Sequence, residues 1–265
     1  MPKQIDIRYH KVSFLKKISI STTSYHDHKF PKHFHDHYTI QLIEEGVNEG
    51  FTESIKYKIG KGGVSIINPG ELHAGHSMDN QLLKFHTIRL GEDFIGSFYE
   101  QNEIPWAGDI RFDTEPNYDC FSTNKVLSLI SNLKQKSRLE FESNLTELLM
   151  LLIKDHKYFK VQPPKSLKLA QEYLHANYRE NLTLAQIAET CHLSPFHFLR
   201  QFKRQYGITP IQYLRNIRIE KAKMILSNHS VSQTAHQVGF YDHSHFLRHF
   251  KRIEGITPTK QFKIY

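Results

Sequence analysis

Cysteine is nearly absent: the 265 residues hold only Cys120 and Cys191, with no paired spacing. That scarcity excludes a disulfide scaffold and a zinc ribbon, and predicts reduced thiols in a cytoplasmic protein. Long apolar runs are missing too. The longest is Leu148–Ile153, far short of the ~20 residues of a membrane span, so no membrane association is expected. The opening Met1-Pro2-Lys3-Gln4-Ile5-Asp6 lacks the apolar stretch of a secretory signal. No nucleophile–base pair, phosphate-cradling glycine loop or acid/base carboxylate pair stands out. No catalytic residue is therefore assigned, and no enzyme is expected.

What is present is a charge asymmetry. Residues 1–160 carry 20 Lys+Arg against 21 Asp+Glu, whereas residues 161–265 carry 15 against 6. A basic module beside a neutral one is the electrostatic footprint of a nucleic-acid binder. The chain length suits two domains of roughly 150 residues or less, each with its own core.

Periodicity divides the chain at a similar place. Up to about residue 115 the apolar residues fall in short runs, His37–Ile43, Ile55–Ile59, Val64–Ile67 and Leu82–Leu90, punctuated by Gly60-Lys61-Gly62-Gly63 and Asn68-Pro69-Gly70. Short strands between Gly/Pro turns predict an all-β barrel or sandwich. From Phe121 the spacing becomes helical, with Val126, Leu127, Ile130 and Leu133 in one stretch and Leu145, Leu148, Leu149 and Leu152 in another. Such helices can cover a sheet or pair with a second copy. Val161-Gln162-Pro163-Pro164-Lys165 reads as an extended linker, because adjacent prolines end a helix. The expected organisation is a sensing barrel over 1–120, a helical cover or dimerisation segment over 121–160, a linker over 161–166 and an all-α domain over 167–265.

The strongest signal is an internal repeat. HFLRQFKRQYGITP at 197–210 matches HFLRHFKRIEGITP at 245–258 in 11 of 14 positions, 48 residues apart. A supersecondary unit has been duplicated. In the first copy Thr183-Leu184-Ala185-Gln186 is a capping-box pattern. Ser194-Pro195 is an N-cap followed by proline at the first helical position, and Gly207 suits the C-terminal stop. Helix, brief turn at Cys191–Leu193 and second helix over about 195–206 make a helix-turn-helix. In the second copy the helices are expected at Ser232–Val238 and His243–Ile253, with Gly239-Phe240 between.

With Phe198 and Phe202 turned inward, the second helix presents Phe196, His197, Leu199 and Arg200, a face suited to base edges in the major groove. Lys203 and Arg204 suit phosphate, as does Thr183 at the preceding helix start. The duplicate presents His243, Ser244, Leu247 and Arg248, with Lys251 and Arg252 for phosphate. Between the copies Ile211–Leu226 has helical spacing without Gly or Pro, a rod of ~24 Å. Two reading helices on such a rod match the ~34 Å between successive major-groove faces.

Ser194-Pro195, Phe202-Lys203, Gly207-Ile208-Thr209-Pro210, Gly239-Phe240, Phe246, Phe250-Lys251 and Gly255-Ile256-Thr257-Pro258 resemble the AraC/XylS family of bacterial transcription regulators over residues 165–262. The resemblance implies a seven-helix domain whose two helix-turn-helix motifs enter the major groove of promoter DNA and recruit RNA polymerase. Thr234, where the family has an aliphatic residue, followed by His236 and Gln237, predicts looser packing of the helix before Gly239.

The N-terminal half, through His33-Phe34-His35-Asp36-His37-Tyr38, Gly46 and Gly63…Pro69-Gly70-Glu71-Leu72-His73, resembles the cupin-type sensory domain that precedes this module. A metal-binding cupin needs a glutamate four or five residues after its His-x-His. Here that slot holds Thr39, Ile40, Gln41 or Leu42, so no metal ligand set and no cofactor is assigned. By period-two spacing His33, His35, His37, Thr39 and Gln41 share one strand face, and His73 completes a polar pocket for a small molecule; a metal held through Gln41 or water, and histidines that only satisfy one another or line the surface, stay open. His10, His26, His28, His76 and His86 read as surface residues. The chain is thus expected to be a two-domain, homodimeric, effector-responsive DNA-binding regulator. Its alternatives are a metal-dependent cupin enzyme with a DNA-binding appendage and a ligand-free regulator whose barrel is an interaction module.

Overall fold

In the computed structural model the described residues are 5–10, 18–52, 55–105, 110–135, 138–154 and 165–259. The chain forms two compact units, Met1–Lys29 with Asp36–Lys160, and Val161–Tyr265 with the short stretch Phe30–His35.

The described residues up to Gly91 form nine strands: β1 (Asp6–His10), β2 (Ile18–Tyr25), β3 (Lys29–His33), β4 (His37–Glu45), β5 (Val47–Thr52), β6 (Lys56–Gly60), β7 (Val64–Ile67), β8 (His73–Ser77) and β9 (Leu83–Gly91), all but β3 lying wholly in the first unit. One sheet runs β1-β2-β9-β4-β7 and the other β3-β8-β5-β6. Alternation along the strands sorts side chains to the two faces. On the first sheet Ile20 pairs with Ile88, Ile88 with Ile40 and Ile40 with Ile66, a row of isoleucines across four antiparallel strands. That face is covered by α1 (Glu92–Gln101), α2 (Cys120–Gln135) and α3 (Arg138–Lys154), whose Ile95, Phe98, Tyr99, Val126, Leu129, Phe141, Leu145, Leu148 and Leu149 join the same core. Each buried isoleucine contributes about 1.5–3 kcal/mol by leaving water, which is why the helices lie on this side.

One residue along, the opposite face carries Ser21, Thr87, Gln41 and Ser65 in the equivalent row. It looks toward the second sheet, where Asn48 Nδ2 donates to Gln41 Oε1 at 3.3 Å. At this level the sheet therefore has an apolar outer face under helices and a polar inner one, while further along the inner face Tyr25, Ile43, Leu83 and Phe85 are buried.

Several expectations need correction here. His33 and His37 do not share a strand: the chain leaves regular pairing at Phe34–Asp36, and β3 and β4 belong to different sheets. The period-two argument therefore fails across that break. In α2 the buried stripe is Val126 and Leu129, while Leu127 is 44% exposed. His86 is buried, its Nδ1 3.0 Å from Thr22 Oγ1 and its Nε2 2.8 Å from Glu44 Oε2. Residues 161–164 of the expected linker lie outside the described residues, and Lys165 and Ser166 already belong to α4.

The second unit is helical: α4 (Lys165–Ala176), α5 (Leu184–Glu189), α6 (Pro195–Tyr206), α7 (Pro210–Ile225), α8 (Val231–Gln237) and α9 (His243–Glu254). Its helix starts are set by a recurring device. Thr183 with Gln186, Thr209 with Gln212 and Ser230 with Gln233 each form a reciprocal capping box. The last two explain why α7 and α8 each begin one residue before the expected positions. α6 and α9 end on Gly207 and Gly255, both left-handed (φ 66° and 76°), a conformation that glycine adopts without steric penalty.

Candidate nucleic-acid interface

α6 and α9 are the two copies of the repeated segment, and each is held from behind by aromatic rings. Phe198 and Phe202 are fully buried in α6, as are Phe246 and Phe250 in α9. On α6 the Phe202 ring meets Tyr213 of α7 edge-on at 5.5 Å, and Tyr206 lies 5.4 Å from the same ring. α9 packs with α7 and α8 through Ile219, Ala222, Leu226, Ala235, Val238 and Phe240. A charged bridge reinforces that contact: Lys223 Nζ on α7 lies 2.9 Å from Glu220 and 3.2 Å from Glu254 of α9, all three largely buried.

With the aromatic faces buried, the remaining faces are free. Phe196 is 70% exposed, and His197, Arg200, Lys203 and Arg204 are exposed, with Leu199 half-buried. On α9 Ser244, Arg248, Lys251 and Arg252 are exposed and His243 and Leu247 half-buried. The structure thus leaves every residue expected to meet DNA at least partly accessible. Thr183 is exposed at the start of α5, its hydroxyl taking the Gln186 amide.

The two copies are not equivalent, however. His197 points outward on α6, whereas its counterpart His245 turns against His249, Nε2 to Nε2 at 2.8 Å, beside the Phe240 ring. Burial, then the neighbouring His245 and the Arg215, Arg252 and Arg248 guanidiniums, push the His249 imidazole from 6.5 down to about 4. Burial and Arg215 also lower His245. A neutral imidazole pair therefore stands where the first copy has a free one. α9 is capped by Asp242, whose carboxylate accepts from the amides of Ser244 and His245 at 3.0 and 3.1 Å. The Ser244 amide is the main cause of the lowered Asp242 carboxyl, and the nearby Arg248 charge adds to it. Asp242 escapes a reading limited to the 14-residue match, because the corresponding Ser194 also lies outside it.

The helix before the turn packs better than expected. Thr234 and Ala235 are wholly buried, although the Thr234 hydroxyl has no hydrogen-bond partner. Gly239 is left-handed (φ 86°), and a Cβ there would sit 2.5 Å from the Arg179 carbonyl oxygen. Arg218 secures the same region, donating Nε to the Tyr178 carbonyl at 2.7 Å and Nη2 to that of Glu180 at 2.8 Å.

Of the six residues expected to hold a small molecule, Thr39 and Gln41 occupy the inner face of β4, and His73 is buried on β8, paired with Thr52. His73 Nδ1 donates to the Glu71 carbonyl at 2.9 Å. His33 Nδ1 donates to the Pro31 carbonyl at 2.8 Å, and His35 is buried in the irregular stretch after β3. His37 opens β4, 3.4 Å from the Asp36 carboxylate. Thr39, Gln41 and His73 are therefore on strands of the two sheets, while His33 ends β3, His35 lies in the irregular stretch and His37 opens β4.

Residues 16–153 match the family described as AraC-like ligand binding domain, and residues 187–263 match the one described as helix-turn-helix domain. The chain is 30% identical over 225 residues to the uncharacterised HTH-type transcriptional regulator YbfI of Bacillus subtilis (strain 168), covering 82% of this chain and 81% of that one. It is 27% identical over 223 residues to the HTH-type transcriptional activator RhaS of Escherichia coli O81 (strain ED1a), with 80% of each covered. Among solved structures, unsaturated-fatty-acid-bound ToxT from Vibrio cholerae strain SCE256 shares the fold over 97% of both chains, with a TM-score of 0.60 at 15% identity.

Proposed function

The chain belongs to the AraC family of transcription regulators, with an N-terminal ligand-binding domain and a C-terminal helix-turn-helix DNA-binding domain, and from that premise we propose that it works as a cytoplasmic homodimer without catalysis. Arg200 and Arg248 read base edges from paired helices, with Phe196, His197, Leu199, His243, Ser244 and Leu247 beside them. Thr183, Lys203, Arg204, Lys251 and Arg252 hold the phosphates. A small molecule between the two sheets, against Thr39, Gln41 and His73, shifts the balance toward the DNA-competent arrangement by binding it more tightly. On promoter DNA the regulator recruits RNA polymerase, in keeping with the activator among its relatives.

The observation that carries this reading is the duplicated, capped amphipathic helix with an exposed arginine at the same position in each copy. Exposed apolar side chains on the cover helices, Phe121, Leu127 and Leu139, support a second copy as partner. Selection of duplexes from a random pool by the full-length chain tests the proposal. The enriched sequences should carry two conserved blocks about 10 bp apart, one helical turn. A pool with no enriched motif, or with a single block, overturns it. No helix among the described residues is long and apolar enough to cross a membrane.

A further inference from the structure

Beyond its buried Leu83, Phe85, Tyr25 and Ile43, the inner face of the first sheet carries a row built unlike a packing surface. Ser21, Thr87, Gln41 and Ser65 stand side by side on four neighbouring strands, and three of these side chains are almost wholly buried: Ser21 at 0%, Ser65 at 1% and Thr87 at 2% exposure. Thr87 Oγ1 and, from the opposite sheet, Asn48 Oδ1 have no hydrogen-bond partner. Ser65 Oγ faces the Tyr57 hydroxyl of the opposite sheet. Buried polar atoms left unmet cost free energy that apolar residues of the same shape would avoid, so such a row persists where something else completes it.

Arg89 supplies the second element. It lies on the same inner face two residues beyond Thr87, and it is the one Lys, Arg, Asp or Glu on that face among the described residues. Its Nη1 donates to Ser21 Oγ at 2.9 Å and its guanidinium lies over the Tyr9 ring at 5.7 Å. It meets no carboxylate among the described residues, which leaves most of its five donors for a guest. Ser19, Gln41 and Arg89 face inward yet remain partly accessible to solvent.

We infer that the effector is a small polyhydroxylated carboxylic acid, its carboxylate on Arg89 and its hydroxyls on Thr87, Gln41, Ser65 and Asn48. This rests on the reading that the N-terminal domain binds an effector. The Arg89 guanidinium reaches the row itself at Ser21 (2.9 Å), so the charge stands at one end of the polar side chains and a single small hydroxy acid can meet both. A long alkyl chain laid across this row would bury the same unmet hydroxyls and leave them unmet. A neutral sugar would leave the guanidinium without its counter-charge.

The test is calorimetric titration of the full-length protein with D-gluconate, D-galacturonate, D-glucuronate and quinate, against D-glucose, D-galactose and oleate, repeated on R89Q and T87V. At least one acid should bind, more tightly than either neutral sugar and than oleate. R89Q should weaken that acid by more than about tenfold. T87V should weaken it by several-fold while raising the melting temperature of the unliganded protein, which a purely structural role for the hydroxyl would not do. Binding of none of the four acids, preference for a neutral sugar or oleate, or unchanged acid affinity in R89Q each overturns the inference. Should oleate or a sugar bind and alter DNA affinity, the regulator stands and only the ligand class falls. Should an acid bind as described and leave DNA affinity unchanged, the ligand class stands and the effector role falls.

Discussion

Replacing Arg200 with alanine separates base reading from phosphate holding. In the free protein the Arg200 side chain is exposed and forms no ion pair among the described residues, so nothing internal is given up when it reaches DNA. A bidentate arginine–guanine contact is worth about 1–3 kcal/mol of discrimination, or roughly 5- to 150-fold at 1.4 kcal/mol per tenfold. Arg248 starts from a different position, since it lies in the field of the Asp242 carboxylate and must exchange that partner for a base. R248A should therefore cost less than R200A. K203A should reduce affinity for all sequences alike, lowering the slope of log K against log salt by about 0.9, one phosphate contact. Fluorescence anisotropy on the selected duplex and on single-base variants, at several salt concentrations, reads all three quantities. A uniform loss for R200A across all duplexes, or a larger loss for R248A, would refute the argument.

Three further outcomes follow from packing and titration. T234V removes a buried hydroxyl that has no partner and should raise the stability of the C-terminal domain by about 1 kcal/mol in urea denaturation; a loss would mean the hydroxyl is satisfied in solution. G239A forces a Cβ toward the Arg179 carbonyl from a left-handed backbone and should destabilise by about 2–4 kcal/mol, so a variant that melts with the wild type contradicts the geometry. His249 is held near 4 against its ordinary 6.5, so the unfolded chain binds the extra proton first on acidification. Its contribution is intact above about pH 6.5 and is lost progressively as the pH falls toward 4. H249Q should flatten that part of the urea-midpoint profile, and an unchanged slope would place the titration elsewhere.

The C-terminal domain was legible because its information is local and written twice. Serine or threonine three residues before glutamine, proline at a first helical position and glycine at a stop act within one turn, whatever surrounds them. Thr209 with Gln212 and Ser230 with Gln233 obey the same rule, but Gln212 and the whole Ser230 pair lie outside the matched segment. The barrel was harder to read for a physical reason. Alternation identifies a strand, but the usual assumption that its polar side faces water fails in β2, β4 and β9, where helices cover the isoleucine face and the serine and threonine face is enclosed. The histidines stand out as reactive groups, although Ser21, Thr87, Gln41 and Ser65 form the continuous row, which only the strand register brings together. His33 and His37 were joined by a period that does not survive the change of sheet between them.

The connecting helix grips its two readers by different means. One is seated on the tilted and edge-on rings of Phe202, Tyr206 and Tyr213; the other is also clasped by the Lys223 bridge between Glu220 and Glu254. Apolar seating weakens on cooling, whereas removing either end of an enclosed ionic clasp strands a charge. Cold should therefore unsettle the leading motif first, and acid the trailing one, so that each half of an operator can lose its grip under a separate stress.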